Sequence, residues 1–247
     1  MKDRYIKELE QLKTSNNYRT LKDHQDGSLN LASNDYLGYA SNSLIYDEFI
    51  SLNQTKEFGS TGSRLLTGNN PINDQFEAFI NNLYNKTSLH ISSGYMANCL
   101  LIETLFNDKD VIFLDKLNHA SIFDASFNTG ARIIAYNHLD YADLEKKLNK
   151  YRDKYENAVI ISESVFSMDG DLADINKLVE LKTKYNSFLY VDEAHSFGFY
   201  KDGLGLVYQA DLVKEVDFIM LGLGKAIGSS GGVLIIESDI REYLINK

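Results

Sequence analysis

Apolar positions along the chain fall into two alternating kinds of pattern. Residues 2–14 carry Tyr5, Ile6, Leu9 and Leu12 at helical spacing. Residues 71–84 place Ile72, Phe76, Phe79, Ile80 and Leu83 on one helical face. Segments 95–106, 140–149 and 174–185, and the final stretch DIREYLINK, also predict helices. Between them lie short, unbroken apolar runs: VIFL (111–114), ARIIAY (131–136), NAVIISE (157–163), SFLYVDE (187–193), DFIML (217–221) and GGVLIIE (231–237). A further strand-like segment leads into Ser92. Runs this short and this apolar suit strands covered on both faces. Strands alternating with helices imply βαβ units. The predicted fold is therefore α/β: a mostly parallel seven-stranded sheet flanked by helices, with an N-terminal helical arm. Residues 1–40 are expected to hold that arm and a first strand, and 41–247 the large sheet domain.

Composition narrows the function. Of 247 residues, 44% are hydrophobic and 24% charged, as in an ordinary globular chain. No stretch approaches the ~20 unbroken apolar residues of a spanning helix. Lys and Arg number 25 against 35 Asp and Glu, a balance of −10. So acidic a chain is a poor generic partner for nucleic acid or anionic membrane. A single cysteine, Cys99, excludes an internal disulfide and a cysteine-based zinc cluster. The start, MKDRYIKELEQLK, lacks the apolar core of a secretion signal, so a cytoplasmic location is expected.

In open α/β sheets, ligands bind beyond the carboxyl ends of the strands. The polar residues after each apolar run are Ser92–Tyr95, Asn118-His119, Glu163-Ser164, Asp192–His195 and Gly222–Gly228. Lys225 sits among Gly222, Gly224 and Gly228. A lysine so placed suits a phosphate cradle or a Schiff base with a bulky cofactor, and is otherwise a solvated loop lysine. A P-loop is excluded, because Ala226 follows the lysine and Ile219 stands at the first glycine position. A dinucleotide fingerprint fails at Ile227. Asp192-Glu193-Ala194-His195 matches an acidic helicase motif, but that motif needs a P-loop before it. Its other use is a strand-end Asp facing a buried cation. Ser93-Gly94-Tyr95 opens a helix, and helix N-terminal amides bind anions. His119 and Ser167 lie in turns after strands, and Arg64 is the fixed positive charge of the loop GSTGSRLLTGN.

These segments in this order resemble the α-oxoamine synthases, a branch of the fold-type I pyridoxal-phosphate enzymes. The matching stretches are LNLASNDYLG (29–38), FGSTGSRLLTGNN (58–70), ISSGYMAN (91–98), NHAS (118–121), SESVFSMDGDLADI (162–175), VDEAHSFGFYKDGLG (191–205) and GKAIGSSGG (224–232). The resemblance implies a PLP-dependent acyltransferase whose large domain binds the cofactor. Lys225 would carry the cofactor as a Schiff base and move the substrate's α-proton. Asp192 would pair with the pyridinium nitrogen, His195 would bond the ring oxygen and His119 would stack on the ring. Gly94 and Tyr95 would hold the phosphate through backbone amides, and Ser167 would also touch the cofactor. Asn34 would lie near the substrate, with Arg19 and Arg64 as further candidates near the acyl group. The implied partners are L-alanine and a pimeloyl thioester, on CoA or a carrier protein. Glycine with acetyl-CoA is the alternative pair, and a non-catalytic remnant of the fold is the other. No metal, nucleic acid or membrane partner is implied, and the chain would work as a homodimer.

Two departures accompany the resemblance. Gly222 stands where the family usually has a Thr or Ser that bonds the phosphate, which implies weaker cofactor binding. Members of the family also continue past the point matching Lys247, so the C-terminal small domain is expected to lie outside these residues.

Overall fold

The structure, a computed structural model, describes residues 2–21, 29–52 and 59–247. Two compact units divide the chain, residues 1–33 and 34–247. The first carries helix α1 (Lys2–Thr14), whose apolar stripe of Tyr5, Ile6, Leu9 and Leu12 is exposed. Arg19 is exposed in the same unit.

The second unit holds the sheet. Helices α2 (Ser43–Leu52) and α3 (Pro71–Tyr84) precede the first strand, β1 (Thr87–Ile91). Then follow α4 (Gly94–Leu105), β2 (Val111–Asp115), α5 (Ala120–Asn128), β3 (Arg132–Tyr136) and α6 (Tyr141–Tyr151). The chain continues through β4 (Ala158–Glu163), α7 (Ile175–Lys184), β5 (Phe188–Asp192), α8 (Gly205–Gln209), β6 (Phe218–Gly222), β7 (Gly232–Ile236) and α9 (Ser238–Ile245). The strand order is β1-β7-β6-β5-β4-β2-β3, with β7 antiparallel to both neighbours and the other pairings parallel. The described residues of 1–40 do not contain the strand expected there; the first strand among the described residues is β1, after the three helices α1, α2 and α3. The segment 29–38 runs instead through bends and turns, in which Asp35 caps the Tyr39 and Ala40 amides.

Alternation along the strands explains why both faces are apolar. Val111, Phe113, Ile160, Leu189, Val191 and Ile219 pack into one buried layer with α6 and α7. Ile112, Leu114, Val159, Ile161, Tyr190 and Met220 pack into the other with α4 and α5. Four helix beginnings are capped locally: Asn70, Ser93, Asp140 and Asp174 accept amides of α3, α4, α6 and α7. The carboxyl ends of β2, β4, β5 and β6 share one edge, and β7, being antiparallel, starts there at Gly232 opposite Gly222 and Ile91.

Candidate functional site

At that edge lies a cavity of about 370 Å³. Its wall on one side is the beginning of α4. Ser93 caps that helix by accepting the Met96 amide at 3.1 Å. Gly94 and Tyr95, at the first helical positions, have no intrahelical acceptor for their N–H groups. The helix start lies directly on β7: a Cβ at Gly232 would sit 2.9 Å from Gly94 Cα, so only glycine allows this approach. The Tyr95 hydroxyl is held outside by Asp124 at 2.9 Å.

The floor is polar and buried. Asp192 closes β5, is 4% exposed, and accepts the Ala194 amide at 2.9 Å and Asn98 Nδ2 at 3.1 Å. Asn98 is 1% exposed; it also donates to Ser121 Oγ at 2.8 Å and accepts from the Tyr190 hydroxyl. Ser121 Oγ lies 2.8 Å from His119 Nδ1, and the Ser121 amide donates to that nitrogen. His119 Nδ1 thus accepts the Ser121 amide, which fixes the ring's orientation. Glu163 closes β4 and lines the same cavity.

Lys225 faces this floor from the loop after β6. That loop is folded back by Gly228 N–H on the Lys225 carbonyl at 2.8 Å and by Ser229 N–H on the Leu223 carbonyl. Burial lowers the Lys225 amine below its ordinary value, against the opposing pull of Asp192 and Glu163. Burial raises Asp192, while Lys225 and the Ala194 and Asn98 donors pull it back. His195 lies beside the cavity with its Nδ1 2.7 Å from the Tyr36 hydroxyl, which also reaches Asn34 Oδ1 at 3.2 Å. Burial, then the Lys225 and His119 charges, push His195 down to about 4, so it is neutral near pH 7.

Of the residues singled out in the sequence, Asn34, Gly94, Tyr95, His119, Asp192 and Lys225 line this one cavity. His195 and Ser167 line an adjoining cavity of about 430 Å³ with Tyr36 and Phe199. Arg64 is elsewhere: its guanidinium bonds Glu77 at 2.6 Å and the His90 carbonyl, a clamp completed by Arg241 on the other Glu77 oxygen. Those bonds tie the loop after residue 59 to α3, β1 and α9, so Arg64 is not presented to the Lys225 cavity. Arg19 belongs to the first unit. Asn98, Ser121 and Tyr36 also build the site; for Asn98 the sequence offers one signal, a polar residue among apolar neighbours four positions after Gly94.

Gly222 lines the cavity too. A Cβ there would meet Ala194 Cβ at 2.9 Å and its Cα at 3.1 Å. The glycine therefore lets the strand-end loop carrying Asp192 and His195 lie against β6. A Thr in its place needs Ala194 to move.

This architecture is that of the fold-type I transferases: a mixed sheet, with a lysine loop after β6, a carboxylate at the end of β5 and a helix N-terminus across from them. A sequence model of the family "Aminotransferase class I and II" matches residues 26–246. The chain belongs to that family, on its α-oxoamine synthase branch. A Glaesserella parasuis protein named "Putative 8-amino-7-oxononanoate synthase" is 44% identical over 222 residues, 88% of this chain and 58% of the relative. A Haemophilus influenzae protein of the same name is 38% identical, covering 99% of this chain and 68% of the relative. Among solved structures, a serine palmitoyltransferase variant from S. paucimobilis bound to a PLP–myriocin aldimine matches with TM-score 0.85 and 26% identity, over 98% of this chain and 64% of that one. The 8-amino-7-oxononanoate synthase of Francisella tularensis matches with TM-score 0.74 and 31% identity, over 90% and 62%. The chain thus spans 58% to 68% of the length of these two curated relatives. Among the described residues no helix is long and apolar enough to cross a membrane.

Proposed function

We propose that the chain binds pyridoxal 5′-phosphate on Lys225 and serves the decarboxylative condensation of L-alanine with a pimeloyl thioester, the 8-amino-7-oxononanoate synthase step of biotin synthesis. The observation that carries this reading is the meeting, in one cavity, of a burial-depressed lysine, a buried strand-end Asp and the amides opening α4. The donor set fits the group. Gly94 and Tyr95 amides suit a phosphate dianion at a helix N-terminus. Asp192 suits a protonated ring nitrogen, whose charge offsets the burial of the carboxylate.

When bound, the cofactor supplies an aldehyde for an amine and a protonated ring that accepts electron density. The Lys225 amine, kept toward its neutral form by burial, is fit to bond that aldehyde and to take a proton from an α-carbon. Asp192 is held in place by Asn98 and the Ala194 amide, which together with a cation opposite would favour its carboxylate against burial. His195 offers a neutral ring oriented by Tyr36, and the His119 ring is oriented by Ser121. Asn34 lies at the open side, where the amino acid would enter, and Ser167 borders the adjoining cavity. A homodimer completes the reading, supported by the exposed apolar residues Leu44, Ile45, Phe49 and Ile50 of α2, and a cytoplasmic location goes with it.

The test supplies the chain and PLP with L-alanine plus pimeloyl-CoA, and separately with glycine plus acetyl-CoA. Thiol release is followed in each. Faster release from alanine and pimeloyl-CoA, abolished by Lys225→Ala, is expected. Preference for glycine and acetyl-CoA would assign the chain to the neighbouring acetyltransferase reaction. Cofactor binding without release from either pair would favour a non-catalytic remnant of the fold.

A further inference from the structure

Glu163 has no part in the reading above, yet it occupies the floor of the same cavity. It ends β4 as Asp192 ends β5, and the two are partners in the parallel ladder. Glu163 is 3% exposed and Asp192 4%. Two carboxyls so placed do not both ionise freely, because each charge raises the cost of the other. Their partners differ. Asp192 accepts from Asn98 and from the Ala194 amide. Glu163 accepts the backbone N–H of His119. Asp192, with the Asn98 and Ala194 donors, is the better-stabilised anion of the two, and Glu163 keeps the proton. Burial and then the Asp192 charge push Glu163 up to about 8, with Lys225 opposing.

We infer that Glu163 is a positioning residue of this site: it fixes His119 through that residue's backbone N–H and, as the second carboxyl beside Asp192, sets the charge that faces the Lys225 amine. Its importance for catalysis rests on Lys225 being the cofactor-binding amine. The electrostatic statement does not. The charged and titratable groups that bear on the pair are Lys225 from the loop after β6, His119 from the start of α5 and Asp115 from the end of β2, while His195 after β5 faces Lys225 and His119. Near neutral pH Glu163 presents a carboxylic acid to the cavity. Above about pH 8 it loses that proton to solvent and presents a second anion, which favours the Lys225 ammonium.

The experiment uses the full chain without cofactor. Acetylation of Lys225 by an amine-reactive ester is quantified by peptide mass spectrometry across pH 6 to 10. Reaction of His119 with diethyl pyrocarbonate is measured in parallel. Glu163→Gln keeps an oxygen for the His119 amide and removes the charge. Below pH 7 it is expected to match the parent. On the rising limb above pH 8 it is expected to acetylate about threefold faster, because the ammonium has lost a stabilising anion. Glu163→Asp restores a charge and is expected to return the parent's profile. Glu163→Ala, lacking the acceptor, is expected to raise His119 reactivity where Glu163→Gln does not. A Gln variant indistinguishable from the parent at every pH would overturn the electrostatic role. Equal His119 reactivity in the parent and in a folded Ala variant would overturn the anchoring role. If the Ala variant does not fold, the Gln and Asp profiles still decide the first role. Since neither readout involves cofactor or turnover, failure here is separable from failure of the proposed reaction.

Discussion

Asn98 ties the floor of the site together with three hydrogen bonds from one side chain. It donates to Asp192 and Ser121 and accepts from Tyr190, all inside the protein. Replacing it by Leu leaves three buried polar groups without that partner, and each such loss costs about 1–3 kcal/mol. Asn98→Leu is therefore expected to lower unfolding stability by about 3 kcal/mol or more in urea titrations, and to weaken PLP binding through a displaced Asp192. Gly222 yields a second expectation. The missing hydroxyl pointed to weaker cofactor binding curable by Thr, but the Ala194 contact changes that expectation. Gly222→Thr alone is expected to lower the melting temperature, overpacking costing roughly 1–3 kcal/mol, without tightening PLP binding. Adding Ala194→Gly should recover stability and allow the tighter binding, as read by a cofactor titration. Lys225, Asp192 and His119 were legible in the sequence because each follows an apolar run at a strand end. Glu163 stood in the same positions, but its meaning depends on Asp192 across the ladder, which no single segment shows. Arg64 shows the same limit: a charged loop residue gives no sign in its own segment that its partner is Glu77, thirteen positions away on α3.

At the scale of elements, helices with both a periodic apolar face and a side-chain cap were readable, α3, α6 and α7 above all. The short α8 was not. Its five residues start at Gly205, with φ near +88°, and are anchored from a distance by Glu193. That carboxylate is fully buried and accepts the amides of Leu206 at 2.7 Å and Val207 at 3.0 Å, and the Ser196 hydroxyl at 2.8 Å. Burial, opposed by these donors, pushes Glu193 up to about 7. Its ordinary value in the unfolded chain is 4.5. Between those values the unfolded chain has released a proton that the folded chain keeps, so stability falls as pH rises. The contribution is whole below pH 4.5 and lost through pH 7. Melting temperatures at pH 5 and pH 8 should therefore differ less for Glu193→Gln than for the parent. An equal or larger difference in the variant would refute this assignment. The antiparallel β7 was equally hidden, because its apolar run does not encode direction. Its direction follows from the short return that carries Lys225 back to the same sheet edge.

For the molecule as a whole, the sheet buries both faces and so could be read from apolar runs alone. What is left exposed is more telling. Leu44, Ile45, Phe49 and Ile50 of α2 are 45% to 76% exposed, an apolar surface that the proposed dimer would cover. Light scattering is expected to give a dimer, and Phe49→Glu with Ile50→Lys to shift the population toward monomer. The central claim is that Lys225 and the groups around it form a pyridoxal-phosphate site. Its most direct test is a visible absorption spectrum of the purified chain with PLP, before and after borohydride, followed by peptide mapping. The account predicts a Schiff-base band that borohydride removes, with the reduced label on Lys225. A chain that gives no band and releases the cofactor on washing, or one labelled at other lysines while Lys225 stays free, would contradict it.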